Sequence, residues 1–229
     1  MVLKLGVNPN DEVSQLTETS GHKCANEQDE AALATIRQLQ DATLFANSGN
    51  VNAGTSTYRL QRGSHGGSSV FFNRDGADFR FSLTDGVTGS MYLAYDPLTS
   101  LKEVFQGKKS VRESDLDDYF MGEVVIEKDV RVLVVKHLVR STRLTLHQVT
   151  TGTRAVTQLL AEKARAAGLD GMLFTSNVTG EDCLVLWHDD VAGAGMAVTR
   201  SQTRLSDFEY NGHEAADILV ERLGIPVNE

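Results

Sequence analysis

The sequence predicts an α+β fold, with strands and helices in irregular order instead of the strict alternation of a doubly wound sheet. From Thr57 onward short β-like runs dominate, and only two helical segments interrupt them. Hydrophobic residues make up 41% of the 229, charged residues 23%, and there are only three prolines, so disordered, collagen-like and coiled-coil compositions do not fit. A chain of this length buries about 70% or more of its unfolded surface, so a core needs no disulfide support.

The first element is helical. The chain is polar and acidic up to Glu30, and then Leu33, Ile36, Leu39, Leu44 and Phe45 recur with the spacing of one amphipathic helix over Ala31–Ala46. Asn47 to Thr57, rich in Asn, Gly, Ser and Thr, punctuates its end as a connector. Residues 1–50 are therefore expected as a helical N-terminal extension and 51–229 as the main domain. Strands are expected at Ser69–Phe72, Met91–Ala94, Glu123–Ile126, Arg131–Val135, Met172–Phe174 and Cys183–Trp187. Between them, Asp96 is a capping residue with Pro97 at the first helical position, and Leu98, Leu101 and Phe105 form one stripe of a helix ending near Gly107. A longer helix runs from about Thr153 to Ala167, with Val156, Leu159, Leu160, Ala164 and Ala167 on one face and Gly168 as its stop. There is no internal repeat.

Charge and motifs exclude several functions. Lys+Arg 22 against Asp+Glu 31 gives 22 − 31 = −9, which disfavours nonspecific binding to a phosphate backbone, so no direct nucleic-acid binding is expected. No stretch approaches the roughly 18 consecutive apolar residues of a membrane span, and Met1 to Asn10 has no charged region followed by an apolar run. A cytoplasmic protein without membrane contact is expected. Cys24 and Cys183 sit in unlike contexts and predict no disulfide, and the sequon at Asn177-Val178-Thr179 has no secretory route to use. Gly107-Lys108-Lys109-Ser110 lacks the spacing of a phosphate loop, and Gly193-Ala194-Gly195 lacks the third glycine of a dinucleotide fingerprint. The histidines at 22, 65, 137, 147, 188 and 213 are scattered without a ligand pair, so no metal is expected. His188-Asp189-Asp190 reads as a polar turn after a strand.

What remains is a series in the middle of the chain: Tyr58-Arg59-Leu60, Phe79-Arg80-Phe81-Ser82, Met91-Tyr92-Leu93-Ala94, the helix from Pro97 through Glu103 to Val104, and Asp170-Gly171 leading to Ser176 and the apolar run Leu184 to Trp187. Over Thr57 to Asp189 this series resembles the RES family of bacterial toxins. That family shows, in the same order, a Tyr-Arg, a Gly-Arg-Phe-Asn segment, a Leu-Tyr-Leu-Ala strand, a Pro-x-x-Ala-x-x-Glu helix and an Asp-Gly-x-x-x-x-Ser turn. The tripeptide Arg112-Glu113-Ser114 is a coincidence of letters.

The resemblance implies an ADP-ribosyltransferase-like fold, a mixed or antiparallel β core with few flanking helices, and the splitting of NAD at its nicotinamide–ribose bond by hydrolysis or with phosphate as acceptor. It implies that Arg59 and Arg80 hold the pyrophosphate, for which guanidinium forks are the best partners, with Tyr58 beside Arg59 in the substrate site. Glu103 would face the oxocarbenium-like ribose, Tyr92 would stack on nicotinamide, and Ser176 would offer a hydroxyl to the amide or ribose. Each has a plainer alternative. Glu103 lies off the stripe of its helix, as a solvated glutamate also would. Tyr92 suits half-buried packing, Arg80 an outward strand position, and Ser176 the closing of a turn. The sequence also departs from the family pattern. Asp78 and Phe79 precede Arg80 where a glycine is usual, Ser82 replaces the asparagine, Ser100 replaces the small helix residue, and Ser110 to Asp129 is long and acidic, suited to a lid or a partner surface.

Two other functions remain open at this point: an ADP-ribosyltransferase acting on a macromolecule, and a catalytically silent binding domain of the same fold. RES toxins are commonly paired with a helix-turn-helix antitoxin that blocks the NAD cleft, so such a partner is expected. The N-terminal helix is the internal alternative, covering the cleft or the seam of a homo-oligomer.

Overall fold

The computed structural model describes residues 26–75 and 79–229. The start of the chain to Asn10, His22, Cys24 and Asp78, which enter the expectations above, lie outside these residues.

Two helices, α1 (Glu27–Arg37) and α2 (Asp41–Ala46), stand where one was expected. Asn26 caps the first, its Oδ1 accepting from the Asp29 N–H at 3.0 Å. The chain then breaks at Gln40, which is extended (φ −89°, ψ 152°), and Asp41 places a negative charge in the first turn of the second helix. There follow β1 (Ser48–Val51), β2 (Ser56–Arg62), β3 (Gly89–Ala94), α3 (Pro97–Phe105) and β4 (Val111–Arg112). Next come β5 (Tyr119–Ile126), β6 (Val130–Val134), α4 (Val135–Ser141), α5 (Leu146–Val149) and α6 (Arg154–Ala166). The rest is β7 (Gly171–Thr175), β8 (Asp182–His188), β9 (Ala197–Arg204), β10 (Glu209–Tyr210), β11 (His213–Glu214), α7 (Ala215–Asp217) and β12 (Val227–Asn228). No helix among the described residues is long and apolar enough to cross a membrane.

Eight strands form one sheet in the order β1-β6-β7-β8-β3-β2-β5-β9, antiparallel throughout except for the parallel pair β6 and β7. The expected α+β class and mixed, mainly antiparallel core are therefore present, with more short helices than expected. Side chains alternate across the sheet as a strand requires. On β8, Cys183, Val185 and Trp187 join the core under α1, α2 and α6, whereas Leu184 and Leu186 join a second core with Met91, Leu93, Val124 and Ile126. A third core, under α3, gathers Leu101, Phe105 and Met121 with C-terminal Ile218 and Leu219. The described part of the expected extension contributes to the first of these: Leu33, Ile36 and Leu44 are at most 1% exposed.

Several expected segments differ. Ser69–Phe72 is not a strand, because side chains hold its backbone: Arg59 Nη1 donates to the Ser69 and Phe71 carbonyls, and Thr199 Oγ1 accepts from the Ser69 N–H. The segment crosses so close to β3 that a Cβ on Gly89 would lie 2.3 Å from the Phe72 carbonyl oxygen, so only glycine fits. The connector Asn47–Thr57 contains β1, paired with β6. Within Ser110–Asp129, residues 119–126 are β5, an interior strand paired with both β2 and β9. The unexpected β9 is a sheet edge with only Ala197 buried, and its run of Thr, Arg, Ser and Gln carries no apolar signal.

Candidate active site

Strand β2 pairs with β5 along its whole length but meets β3 at one position only, Tyr58 opposite Ala94. Beyond it the two strands part, and a cleft of about 770 Å³ opens between them, within the roughly 300–1,000 Å³ of small-molecule sites. Its other walls include α3, the turn carrying Phe79, Arg80 and Ser82, Asn177 and Val178, and the segment that leads into α6 at Arg154. The parting would orphan backbone groups on β2. The Leu60 N–H instead donates to Ser100 Oγ at 2.8 Å, which explains a serine where the family pattern has a small apolar residue.

Helix α3 starts as its sequence dictates, with Asp96 accepting from the Thr99 N–H at 2.9 Å and Pro97 in the first turn. Glu103 is three residues on from Ser100 and shares its face, so it enters the cleft while Leu101 and Phe105 bury on the other side.

Arg80 is placed by a turn, not by the strand considered from sequence. Phe81 has φ +56°, an unusual conformation for a bulky residue that costs about 1–3 kcal/mol and survives only if its surroundings over-determine it. They do. The Phe81 ring is fully buried 5.0 Å from that of Phe174, its carbonyl accepts from Trp187 Nε1 at 2.9 Å, and the Tyr92 hydroxyl donates to the Arg80 carbonyl. The result suspends the Arg80 guanidinium 5.6 and 5.5 Å from the Phe81 and Phe174 ring centres. Tyr92 reaches the same side because alternation along β3 sends Ser90, Tyr92 and Ala94 to the cleft; its hydroxyl also meets Ser82 Oγ at 2.9 Å. Ser82, at the asparagine position of the family pattern, thus locks the tyrosine.

The electrostatics are unusual for a protein of net charge −9. Arg59, Arg80 and Arg154 line the cleft with Glu103. Burial lowers the Arg80 pKa, the Glu103 carboxylate opposes that shift and Arg154 adds to it. Burial also lowers Arg59 to about 10, still charged at neutral pH, raises Tyr58 with help from Glu123, pushes Tyr92 well above the ordinary phenol range and takes Cys183 up to about 12. Both tyrosines and the thiol are therefore neutral at pH 7. Among the described residues four buried side-chain atoms have no hydrogen-bond partner, and three belong to cleft residues: Arg80 Nη1, Glu103 Oε1 and Ser90 Oγ. Each such atom costs about 1–3 kcal/mol, a penalty that a polar ligand would relieve.

The cleft brings together Tyr58, Arg59, Arg80, Tyr92 and Glu103, but not Ser176. Ser176 Oγ accepts from the Val178 and Thr179 N–H groups at 3.0 and 3.1 Å and closes the turn that presents Asn177 and Val178 to the cleft. Arg59 lines the cleft, yet its Nη1 serves the Ser69 and Phe71 carbonyls, both at 3.0 Å. Sequence reasoning missed Arg154. One signal was available: a cation at the first position of a helix opposes the helix dipole, which is a reason to ask what else it serves. No group of three or more His, Cys, Asp or Glu side chains among the described residues is arranged to hold a metal.

No curated protein matches this sequence. Among solved structures, a chain of the M. tuberculosis MbcT–MbcA toxin–antitoxin complex superposes with a TM-score of 0.54 at 16% identity, over 79% of this chain and 93% of that one. At that identity the likeness concerns the fold. The RES domain family model matches residues 57–207, from β2 past β9. Tyr58, Arg80, Tyr92 and Glu103 all fall within that span and all meet at the one cleft, and the chain belongs to the RES domain family.

Proposed function

We propose that this chain is a toxin enzyme that degrades NAD in the cytoplasm by cleaving its nicotinamide–ribose bond, with water or phosphate as acceptor. The observation that carries the reading is the pair of buried, unpartnered polar atoms, Arg80 Nη1 and Glu103 Oε1, on one cleft large enough for a dinucleotide. Loss of nicotinamide leaves positive charge on the ribose, and a preorganised carboxylate without a protein partner is suited to stabilise it. Arg80, held over two aromatic rings, supplies the opposite charge for a phosphate oxygen. Tyr92, half-buried with its hydroxyl engaged by the Arg80 carbonyl and Ser82 Oγ, contributes an aromatic surface.

Incubating the purified protein with NAD, with and without phosphate, tests this. Free nicotinamide with ADP-ribose or its phosphate ester is the expected product set. ADP-ribose attached to a macromolecule would replace the reading with a transferase, and no nicotinamide at all would leave a binding domain. Arg80→Lys keeps the charge but not the fork, and is expected to raise the KM for NAD roughly tenfold. An unchanged KM would move the pyrophosphate elsewhere.

The structural neighbour belongs to a toxin–antitoxin complex, which supports an antitoxin as the partner here; that it is a helix-turn-helix protein is what the family resemblance implies. Expression of this chain alone is expected to arrest growth and lower cellular NAD, and a small protein encoded beside it to restore both by forming a stable complex. Growth that continues with normal NAD would remove the toxin role.

A further inference from the structure

Four arginines line the cleft, and the fold treats them unequally. Arg62 pairs with Asp118 at 2.8 Å, and Arg59 donates to two backbone carbonyls. Arg80 and Arg154 have no carboxylate within ion-pair distance among the described residues. Among the described residues Arg80 Nη1 is buried without a partner, while Arg154 is exposed at the cleft wall and no hydrogen bond engages its guanidinium. Both line the same cleft as Glu103, whose carboxylate favours the protonated form of Arg80 while Arg154 disfavours it. Arg80 is placed by the Phe81 turn, and the backbone before Arg154 is anchored at the cleft wall where Thr153 Oγ1 donates to the buried Asp29 at 2.7 Å and Asn177 Nδ2 donates to the Thr150 carbonyl at 2.9 Å. Two guanidinium groups without ion pairs on one cleft, with Glu103 the one carboxylate among the described residues that line it, make a site for an oxyanion with more than one charge.

We propose that Arg80 and Arg154, and not Arg59, together hold the diphosphate of a dinucleotide in this cleft. This rests on the NAD reading above and assigns to Arg154 a role that no sequence motif gives it. A diphosphate presents oxygens on two phosphorus atoms, so each guanidinium engages one phosphate and their mutual repulsion becomes attraction to a shared anion. Arg59 instead holds the Ser69–Phe71 strap against β2.

The test is binding of ADP and of inorganic phosphate to the full chain by calorimetry, for the wild type, Arg154→Gln and Arg154→Lys, with the KM for NAD measured alongside. Because Arg154 is exposed, both variants should melt with the wild type; if Arg154→Gln does not fold, Arg154→Lys carries the comparison. Arg154→Gln is expected to weaken ADP binding and raise the KM by about tenfold or more, the scale of a lost charge-assisted contact, with Arg154→Lys in between. ADP affinity unchanged within about twofold overturns the assignment, as does a loss confined to inorganic phosphate, which would make this an acceptor site. A wild type that binds no ADP overturns it as well. Failure of NAD cleavage with ADP binding still dependent on Arg154 would instead remove the proposed activity and keep the diphosphate site.

Discussion

Glu103→Gln is expected to lower NAD cleavage at least about a hundredfold, the effect of losing one preorganised charge in the transition state, while the protein melts as the wild type does. The substitution preserves size and removes only charge. Leu101 and Phe105, which seat α3 on the third core, are untouched, and the Leu60–Ser100 hydrogen bond one turn earlier remains. Glu103 Oε1 has no partner to lose, so the usual penalty for breaking a buried ion pair does not arise. Arg80 does lose an opposing charge in the cleft, and any change in its hold on an anionic substrate would appear as an altered KM, separable from the fall in kcat. Nicotinamide release under saturating NAD is the measurement, and turnover within a few-fold of wild type would remove Glu103 from the chemistry.

Removing residues 1–50 is expected to give insoluble protein, not a more active enzyme. An inhibitory flap would come away cleanly, but Leu33, Ile36 and Leu44 are fully buried with Val156, Leu160 and Ala164 of α6, and β1 closes one edge of the sheet. Each large side chain withdrawn from such a core costs about 2–5 kcal/mol, so Leu33→Ala alone takes a large part of a typical stability of about 5–15 kcal/mol. The truncation also strips the Asp29 anchor from the loop before α6. Solubility and thermal melting of the truncated chain and of Leu33→Ala decide it; a soluble, cooperatively melting 51–229 fragment with raised NAD cleavage would restore the inhibitory role.

The elements legible in the sequence are those with a strong local signal. Asp96-Pro97 and Gly168 mark the ends of α3 and α6 to within a residue or two, and the apolar runs of β3, β6, β7 and β8 are interior strands. What escaped depends on distant partners. Ser69–Phe72 has the composition of a strand, but Arg59 takes its carbonyls. Phe81 adopts a conformation no propensity would assign it, because Trp187 and Phe174, far along the chain, enforce it. Arg154 meets Arg80 only after α6 has packed against the sheet, whereas Ser176, chosen from a motif, is used up by the N–H groups of its own turn.

The single Tyr58–Ala94 pairing between β2 and β3 also bears on how the molecule opens. It leaves the sheet as a five-strand and a three-strand portion joined by one rung, so hydrogen exchange should find two cooperative units meeting at the cleft. A dinucleotide bound in the gap as proposed would touch both margins and act as a clasp, adding RT ln(1 + [L]/Kd), about 2.7 kcal/mol at a hundredfold excess over Kd, to the energy of parting them. Under the proposed NAD cleavage the enzyme would consume its own clasp, and mechanical unity would follow supply: the two portions would exchange as one body while the dinucleotide lasts, and as two once it is gone.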